Sequence, residues 1–397
     1  MGTTNPMLRA NPALRSIAVL ISLVAACLVG TAILRANLSH PVVTGGRMPV
    51  VSVGWMIPSA GVRHIGFCRS GNYICTVSKN GEVACYNSTG AKRFSAIVPG
   101  ANKAVVSPDG AFTLAYSHRN PANTRLTFLD ATGHVDWQMD VAGAAWSADA
   151  LCGENASSFV VGTGQKYVYL ITIGADSKRF RRWRAPGAVS SIALDSTGEH
   201  VICGTWQASS VRGTDVGGRR DWEMEANAAD LQYVESLGDS DRLLIRSLPN
   251  SPGTDGEAAL LEPDGTCLSR FSLDCSQTAR AIPSPDGVFV CIGYSKSIAH
   301  SGKSVLERHA TLYDYEGRKL WDKGSMLLQV SPMLVVKGGF VLIGGGKNAL
   351  FVISPAGEIK QVCKLPAAVL NSTSSRDGSQ ALVTCADGRI YHLSITQ

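Results

Sequence analysis

The chain of 397 residues lacks the short motifs that mark most enzyme and metal sites. Its eight histidines form no His-x-His or His-Glu-x-x-His pair, so nothing supports a zinc site. It has no Gly-x-Ser-x-Gly turn of the kind that presents a nucleophilic serine. A pair of carboxylates brought together from distant loops stays open, because such a pair leaves no local motif.

Charge is also scarce, at 17% of residues, and the net charge is only +6. A nucleic-acid-binding domain is usually far more basic, so we expect no nucleic-acid partner. No long helical periodicity occurs after residue 40, and no low-complexity tract interrupts the chain. Because 45% of residues are apolar, the chain can build a large core.

The first acidic residue is Glu82, and an uncharged apolar run precedes it at residues 16–34. A run of this length covers most of a bilayer core as a helix. Arg9 and Arg15 precede the run and Arg35 follows it, and with the amino terminus they favour a cytoplasmic N-terminus. We predict a short cytoplasmic segment (1–15), a transmembrane helix (16–34), a linker (35–48) and an extracytoplasmic domain (49–397).

The apolar run allows other interpretations. It is long for a cleaved signal peptide. Val24-Ala25-Ala26-Cys27 is similar to a bacterial lipobox, which makes a lipoprotein attached through Cys27 the main alternative. The chain has eleven cysteines, and unpaired cysteines suit a reducing compartment, so a domain facing the cytoplasm is a further alternative.

A turn motif recurs with a period of roughly 40–50 residues, the length of a four-stranded propeller blade. A small polar or acidic residue is followed by glycine three positions later and by tryptophan seven positions later, as in Asp130, Gly133 and Trp137. The other copies start at Asn87, Asp176 (with Arg179 in the glycine position and Trp183), Asp215 (with Gly218 and Trp222), Glu262, Asp314 (with Gly317 and Trp321) and Ser354. The repeat predicts an all-β propeller.

Eight first strands can be counted, starting near residues 65, 104, 144, 189, 229, 279, 328 and 370. We therefore predict eight blades, with seven as the alternative. The eighth repeat is incomplete at the C-terminus, whereas Trp55 precedes the first repeat as Trp137 precedes a later one. Residues near 50–57 are expected to supply the missing fourth strand and so to close the ring.

Several cysteines follow turn glycines by four or five residues, which places Cys75, Cys203 and Cys291 in buried strands. Cys75 and Cys85 flank one hairpin. With Asn80-Gly81 as a two-residue turn, these two cysteines would point to opposite faces and would not bridge.

Two further motifs receive a structural interpretation. Gly344-Gly345-Gly346-Lys347 lacks the spacing of a phosphate-binding loop and falls where a hairpin turn is due. Asp239 and Asp241 provide oxygen ligands, but no calcium-loop glycine and glutamate follow, so a polar turn is favoured.

One outer strand of the predicted third blade is strongly basic, with Phe180 and Trp183 between its cations. The basic residues are Lys178, Arg179, Arg181, Arg182 and Arg184, and the next blade adds Arg212, Arg219 and Arg220. Adjacent blades can merge these into one basic flank for an acidic partner or for anionic lipid headgroups. The alternative is a solvated edge strand whose charges prevent aggregation.

The turn motif ending in tryptophan resembles the tryptophan-docking motif of quinoprotein propellers, and more broadly the PQQ-like/WD40-like repeat superfamily of bacteria. The resemblance covers roughly residues 50–397. It implies that Trp137, Trp183, Trp222 and Trp321 dock between blades. It also implies that the motif glycines permit the turn.

Catalytic features of quinoproteins are missing, since no two cysteines are adjacent and no Cys-x-x-Cys-His occurs. We therefore expect no cofactor and no catalysis. The resemblance implies a membrane-anchored scaffold that binds a partner protein in the cell envelope. The alternative is a ligand sensor or a quinoprotein-like enzyme that uses the central funnel.

Overall fold

A computed structural model of the chain describes residues 48–396, apart from 59–60, 118–121, 154–155, 175–176, 207, 209, 226–230, 238–241, 249–255, 274–279, 301–302, 326–327 and 347. The predicted anchor (16–34) and the cytoplasmic segment (1–15) lie outside the described residues, as does the linker apart from its last residue. Within the described part, no helix is long and apolar enough to span a bilayer.

The described residues form eight four-stranded antiparallel sheets, which confirms the eight-bladed propeller. Blade 1 contains β2 (Val62–Phe67), β3 (Tyr73–Ser78), β4 (Glu82–Asn87) and β5 (Lys92–Ile97). Blade 2 contains β6 (Lys103–Val106), β7 (Phe112–Tyr116), β8 (Asn123–Asp130) and β9 (Val135–Ala142). Blade 3 contains β10 (Ala145–Cys152), β11 (Ala156–Thr163), β12 (Tyr167–Gly174) and β13 (Lys178–Arg184). Blade 4 contains β14 (Ala188–Leu194), β15 (His200–Trp206), β16 (Ser210–Asp215) and β17 (Arg220–Glu225).

The second half of the ring repeats this order. Blade 5 contains β18 (Leu231–Ser236), β19 (Leu243–Leu248), β20 (Gly256–Leu261) and β21 (Cys267–Leu273). Blade 6 contains β22 (Arg280–Pro283), β23 (Phe289–His300), β24 (Lys303–Asp314) and β25 (Lys319–Ser325). Blade 7 contains β26 (Leu328–Val335), a 3-10 turn (Lys337–Gly339), β27 (Val341–Gly345), β28 (Ala349–Ile353) and β29 (Ile359–Lys364). Blade 8 contains β30 (Val369–Ser374), β31 (Gln380–Cys385), β32 (Arg389–Thr396) and β1 (Val50–Pro58).

The ring is closed by its first strand. β1 pairs with β32 in antiparallel register from Val50 opposite Thr396 to Pro58 opposite Arg389. The prediction that residues near 50–57 complete the last blade is therefore confirmed. Closure therefore gives blade 8 four strands, as in the other blades.

Hydrophobic contacts hold the ring between blades. Eight clusters of buried residues are found, and each joins two neighbouring blades. The last cluster includes Ile57 and Leu382 of blade 8 and Ile74 of blade 1, so it also crosses the point of closure. The second strands are buried on both faces, which explains their continuous apolar sequence.

Two turns between first and second strands have the sequence Ser-Pro-Asp-Gly, and they begin at Ser107 and Ser284. In the turn at Ser107, Gly110 has φ 68° and donates its N–H to the Ser107 carbonyl at 2.9 Å. The Ser107 hydroxyl accepts the Phe112 N–H at 3.0 Å and donates to Asp109 Oδ1 at 2.5 Å. Because each blade is an antiparallel meander, these turns and those between third and fourth strands share one end of the ring, here called the turn face. The connections between second and third strands share the opposite end of the ring, here called the opposite face.

The register of the first hairpin corrects one prediction. Cys75 and Cys85 lie directly opposite each other, because Tyr73 pairs with Asn87 and Val77 with Val83. The loop is therefore longer than the two residues Asn80-Gly81, and the two thiols share a face. Both cysteines are buried and free, and burial raises the pKa of Cys85 to about 11. The predicted burial of Cys75, Cys203 and Cys291 is confirmed.

Candidate functional site

Every described tryptophan of the motif except Trp137 contacts the turn of the following blade. The Trp183 ring lies against Gly218, and the Trp222 ring against Gly265. A Cβ built on either glycine would come within 2.6 Å of the ring, so only glycine fits. Both glycines have φ near +85°, a conformation that glycine adopts without strain.

The indole nitrogen fixes the same contact by a hydrogen bond. Trp55 Nε1 donates to the Ser88 carbonyl at 2.9 Å, and Trp321 Nε1 donates to the Ser354 carbonyl at 3.1 Å. Trp222 Nε1 donates to the Pro263 carbonyl at 2.9 Å. Each bond satisfies a carbonyl inside the turn of the next blade. Trp137 instead stacks on Phe128 of its own blade at 5.5 Å.

Blades without the tryptophan fill the same position differently. Phe94 packs against Gly133, and Ser269 lies 3.6 Å from the position of a Cβ on Gly317. Gln361 meets the closing strand, where no turn exists: its Nε2 donates to the Val51 carbonyl at 2.9 Å and its Oε1 accepts the Val51 N–H at 3.2 Å. The sequence analysis missed these residues, although Phe94, Ser269 and Gln361 all lie seven positions after the first residue of a turn.

The acidic residues of the motif shape the turns. Asp130 Oδ1 accepts hydrogen bonds from the Thr132 hydroxyl and the Thr132 and His134 N–H groups, and these bonds lower the pKa of Asp130. Asp215 accepts the Gly217 and Arg219 N–H groups, and the Arg219 bond above all lowers the pKa of Asp215. Asp314 accepts from Glu316 and Arg318 at 3.0 Å. All three serve as turn acceptors.

Blade 3 departs from this pattern at its last hairpin. Asp176 lies outside the described residues, and Arg179 stands where the other copies have glycine. β12 and β13 pair in unbroken register up to Ile173 opposite Lys178, without the shift seen between Phe128 and Leu129 of blade 2. β13 therefore begins earlier in its repeat than the other fourth strands, and its cations line the rim.

The cations of β13 divide between two faces, because side chains alternate along a strand. Arg179 and Arg181 share the face of Trp183, which contacts blade 4. Lys178 points to blade 2, where its Nζ contacts Asp136 Oδ1 at 2.9 Å. Arg182 lies over the Tyr167 ring at 4.8 Å.

A groove of about 330 Å³ runs beside this strand between blades 3 and 4. Arg179 and Arg181 are its basic residues, and Leu170, Phe180 and Val216 are its large apolar residues. Phe180 of the same strand is 55% exposed. Cationic and apolar groups thus lie together along the outer edge of one blade.

The arginines of blade 4 do not extend this basic surface as expected. Arg212 and Arg220 both contact the Glu223 carboxylate, at 3.0 and 3.1 Å. Arg219 contacts Asp215 at 3.3 Å. Carboxylates of blade 4 therefore offset the charge of its arginines, whereas the binding role of the merged flank stays a prediction.

The central channel is the other cavity of note, with a volume of about 400 Å³. Arg69 crosses the channel at the turn face: its Nη1 donates to the Asp195 carbonyl at 2.7 Å, and its Nη2 contacts Asp149 Oδ2 at 3.3 Å and the Leu194 carbonyl. Asp149 Oδ2 also accepts the Leu194 N–H at 2.9 Å. This arginine ties blade 1 to blades 3 and 4, and sequence reasoning did not single it out.

His64 lies in the wall of the channel. Its Nε2 is 2.8 Å from the Ala104 carbonyl of blade 2, and burial lowers the pKa of His64 to about 4. The ring is neutral near pH 7, and Nε2 carries the proton because a carbonyl oxygen only accepts. His64 therefore acts as a link between blades.

The remaining motifs show no assembled chemistry. Gly344 and Gly345 end β27, and Ala349 begins β28, so the glycine run forms the expected hairpin. Asp239 and Asp241 lie outside the described residues. Among the residues that the structure describes, no group of three or more His, Cys, Asp and Glu side chains is arranged to hold a metal ion.

Comparison with known proteins identifies the fold alone. No protein-family model and no curated protein sequence matches the chain. Among solved structures, the Dos1 propeller has a TM-score of 0.65 at 13% identity over 87% of this chain and 95% of that one. BamB from Moraxella catarrhalis has a TM-score of 0.59 at 15% identity, covering 87% and 98%. The β-propeller domain of Cps50 (Swd1) from Myceliophteria thermophila has a TM-score of 0.54 at 12% identity, covering 87% and 100%.

Proposed function

We propose that the chain is a membrane-anchored propeller that binds a partner protein outside the cytoplasm and acts as a scaffold in the cell envelope. The rim of the ring carries this proposal. Arg179, Arg181 and Arg184 of the outer strand β13 have no described carboxylate within 4.0 Å, and several apolar side chains of the outer strands are exposed. The structural similarity to BamB supports the propeller fold, and a propeller suits a scaffold role.

The rim differs from one side to the other. Exposed apolar side chains concentrate on blades 7, 8 and 1, and they are Val50, Val53, Met56, Ile97, Ile359 and Val362. The basic strand β13 lies in blade 3, four blades from blade 7 in a ring of eight. We propose that the basic side of the rim binds the partner.

The scaffold proposal is tested by chemical cross-linking in native membranes, followed by purification of the tagged chain and mass spectrometry. We expect cross-links from the rim to a defined set of envelope proteins. Recovery of the chain in the soluble fraction, or cross-links only to cytoplasmic proteins, contradicts the proposal. A variant without residues 1–44 is the control for the anchor.

A second candidate function uses the central channel. Its volume falls in the range of small-molecule sites, and Arg69 with Asp149 supplies charged groups at one end. On this proposal the chain is a sensor for a small polar ligand that enters the channel from the opposite face, away from Arg69. A screen of sugars and carboxylic acids for a change in melting temperature, with Arg69→Ala as control, tests this function.

A further inference from the structure

Three arginines of β13 have no counter-charge within the described part of the chain. No described carboxylate lies within 4.0 Å of Arg179, Arg181 or Arg184. The strand holds five cations in seven residues, and only Lys178 forms an ion pair. Neighbouring cations repel each other, so this arrangement opposes folding unless an anion binds.

The adjacent blade gives a local comparison. Blade 4 also carries three arginines near its rim, and each of them contacts Glu223 or Asp215. Blade 2 gives Asp136 to Lys178 but no described carboxylate to the rest of β13. Preventing aggregation at an edge requires only one or two charges. The excess on β13 therefore needs another explanation.

The surroundings of β13 add two features that suit a polypeptide. β13 is the last strand of its sheet and pairs only with β12 among the described strands, so its outer edge offers backbone donors and acceptors. Beside it, the groove places Leu170 and Val216 next to Arg179 and Arg181. An extended chain can satisfy the edge with its backbone and the arginines beside the groove with carboxylates, while apolar side chains on its other face cover Phe180.

We propose that β13 and the groove bind an acidic, extended segment of a partner protein, which adds to blade 3 as a fifth strand. The inference rests on the proposed scaffold function and names the chemistry of its partner. Seven residues of strand span about 23 Å, so the segment needs a similar length. Its carboxylates lie on the face of Arg179 and Arg181, which borders the groove, and the apolar residues that alternate with them lie on the face of Phe180.

Phosphate-bearing ligands share the negative charge but not the other features. A lipid headgroup or a nucleic-acid strand accepts hydrogen bonds at its phosphates but cannot alternate donors and acceptors along a strand edge. The sequence outside β13 is not rich in cations, so a continuous basic surface for a membrane or a nucleic acid is missing. The peptide interpretation explains both the charge and the free edge.

The test uses the full chain in a non-ionic detergent and a fluorescent ten-residue peptide of alternating glutamate and valine, measured by anisotropy. We expect binding that weakens about tenfold or more in Arg179→Glu/Arg181→Glu. Lys360→Glu/Lys364→Glu on β29 makes the same change of charge on another rim strand, and we expect it to bind as the native chain does. Circular dichroism checks that all three proteins are folded.

Two further peptides test the strand addition itself. One has N-methylated valines and the other N-methylated glutamates, and both keep the charge. Because N–H groups along a strand point alternately to its two edges, one of these peptides loses the donors that face β13, and we expect it to bind about tenfold more weakly. Equal binding of all three peptides, or equal binding by Arg179→Glu/Arg181→Glu, overturns the inference. Binding to phosphatidylglycerol vesicles without binding to the peptide also overturns it, and assigns the strand to lipid.

The experiments can contradict the docking of a peptide on β13 without contradicting the scaffold function. If native cross-linking captures a partner at other blades while the peptide does not bind, the scaffold stands and β13 is not its docking site. If photo-cross-linkers at Phe180 capture an envelope protein and those at Val362 do not, both proposals are supported.

Discussion

At seven of the eight blade interfaces, one side chain of an outer strand reaches the next blade in the described part of the chain. Tryptophan fills this position best, because its ring packs on the turn glycine and its N–H satisfies a turn carbonyl. Phe94 supplies only the ring, and Ser269 supplies neither the ring nor the bond. Stability is therefore expected to differ from one interface to another.

Replacing Trp321 with alanine should lower the free energy of unfolding by about 3–5 kcal/mol, because the side chain is only 8% exposed. Trp321→Phe keeps the ring and loses the bond to Ser354, at a cost of about 1 kcal/mol. Ser269→Ala removes a buried hydroxyl that has no hydrogen-bond partner in the described part, so no loss is expected. Denaturant unfolding of the three variants measures these differences, and a Ser269→Ala loss equal to that of Trp321→Ala contradicts this account.

Alanine substitutions at two turn glycines distinguish the cost of a steric clash from the cost of backbone strain. Gly133 and Gly388 both have positive φ, but a Cβ on Gly133 comes within 2.7 Å of Phe94, whereas one on Gly388 meets nothing within 4 Å. Gly388→Ala should cost about 1–2 kcal/mol from strain alone. Gly133→Ala should cost clearly more in the same unfolding assay. Equal losses would show that Phe94 moves aside.

His64 should make the protein sensitive to acid. Its folded pKa of about 4 lies below the ordinary value of 6.5, so between these values the unfolded chain binds more protons. Stability should therefore fall as the pH is lowered from 6.5 toward 4, by up to about 1.4 kcal/mol per pH unit. His64→Gln keeps a donor for the Ala104 carbonyl and does not titrate. Unfolding curves at pH 7, 6 and 5 should show a flatter dependence for this variant.

Among the strands and hairpins, periodicity predicted the blades well and register poorly. The eight first strands begin within three residues of the predicted positions, because apolar runs and Gly turns mark them directly. The Cys75–Cys85 register was wrong because Asn80-Gly81 does not form the whole loop. The neutralisation of Arg212 and Arg220 by Glu223 depends on pairing between strands that spacing alone does not reveal.

The closing strand β1 should be essential for cooperative folding. A chain shortened to begin at residue 59 exposes β32 and removes Ile57 and Trp55 from the last hydrophobic cluster. We expect a broad transition with loss of near-ultraviolet circular dichroism. A chain that begins at residue 45 keeps β1 and should unfold as the full chain does. Addition of a synthetic peptide of residues 48–58 should restore the sharp transition.

For the whole molecule, the position of one thiol reports on topology. Cys267 is exposed, whereas Cys68, Cys75, Cys203 and Cys291 are buried. If the propeller lies outside the cytoplasm as proposed, a membrane-impermeant maleimide should label Cys267 in cells whose outer barrier is permeabilised and whose inner membrane is intact. Cys267→Ser should lose most of this signal. Labelling that appears only after the inner membrane is broken contradicts the proposed orientation.

During biosynthesis the ring can close only after its last strand has been made. β1 leaves the ribosome among the first residues, but its partner strand is separated from it by 346 positions, as in the Val50–Thr396 contact. At 5–20 residues per second, β1 waits roughly 17–70 s before β32 exists. Throughout this interval Val51 and Ile57, which end in the core, lack their contacts with the other strands of blade 8. The nascent chain therefore has a period when a chaperone or a neighbouring chain competes for β1, and slower translation near the 3′ end should increase misassembly.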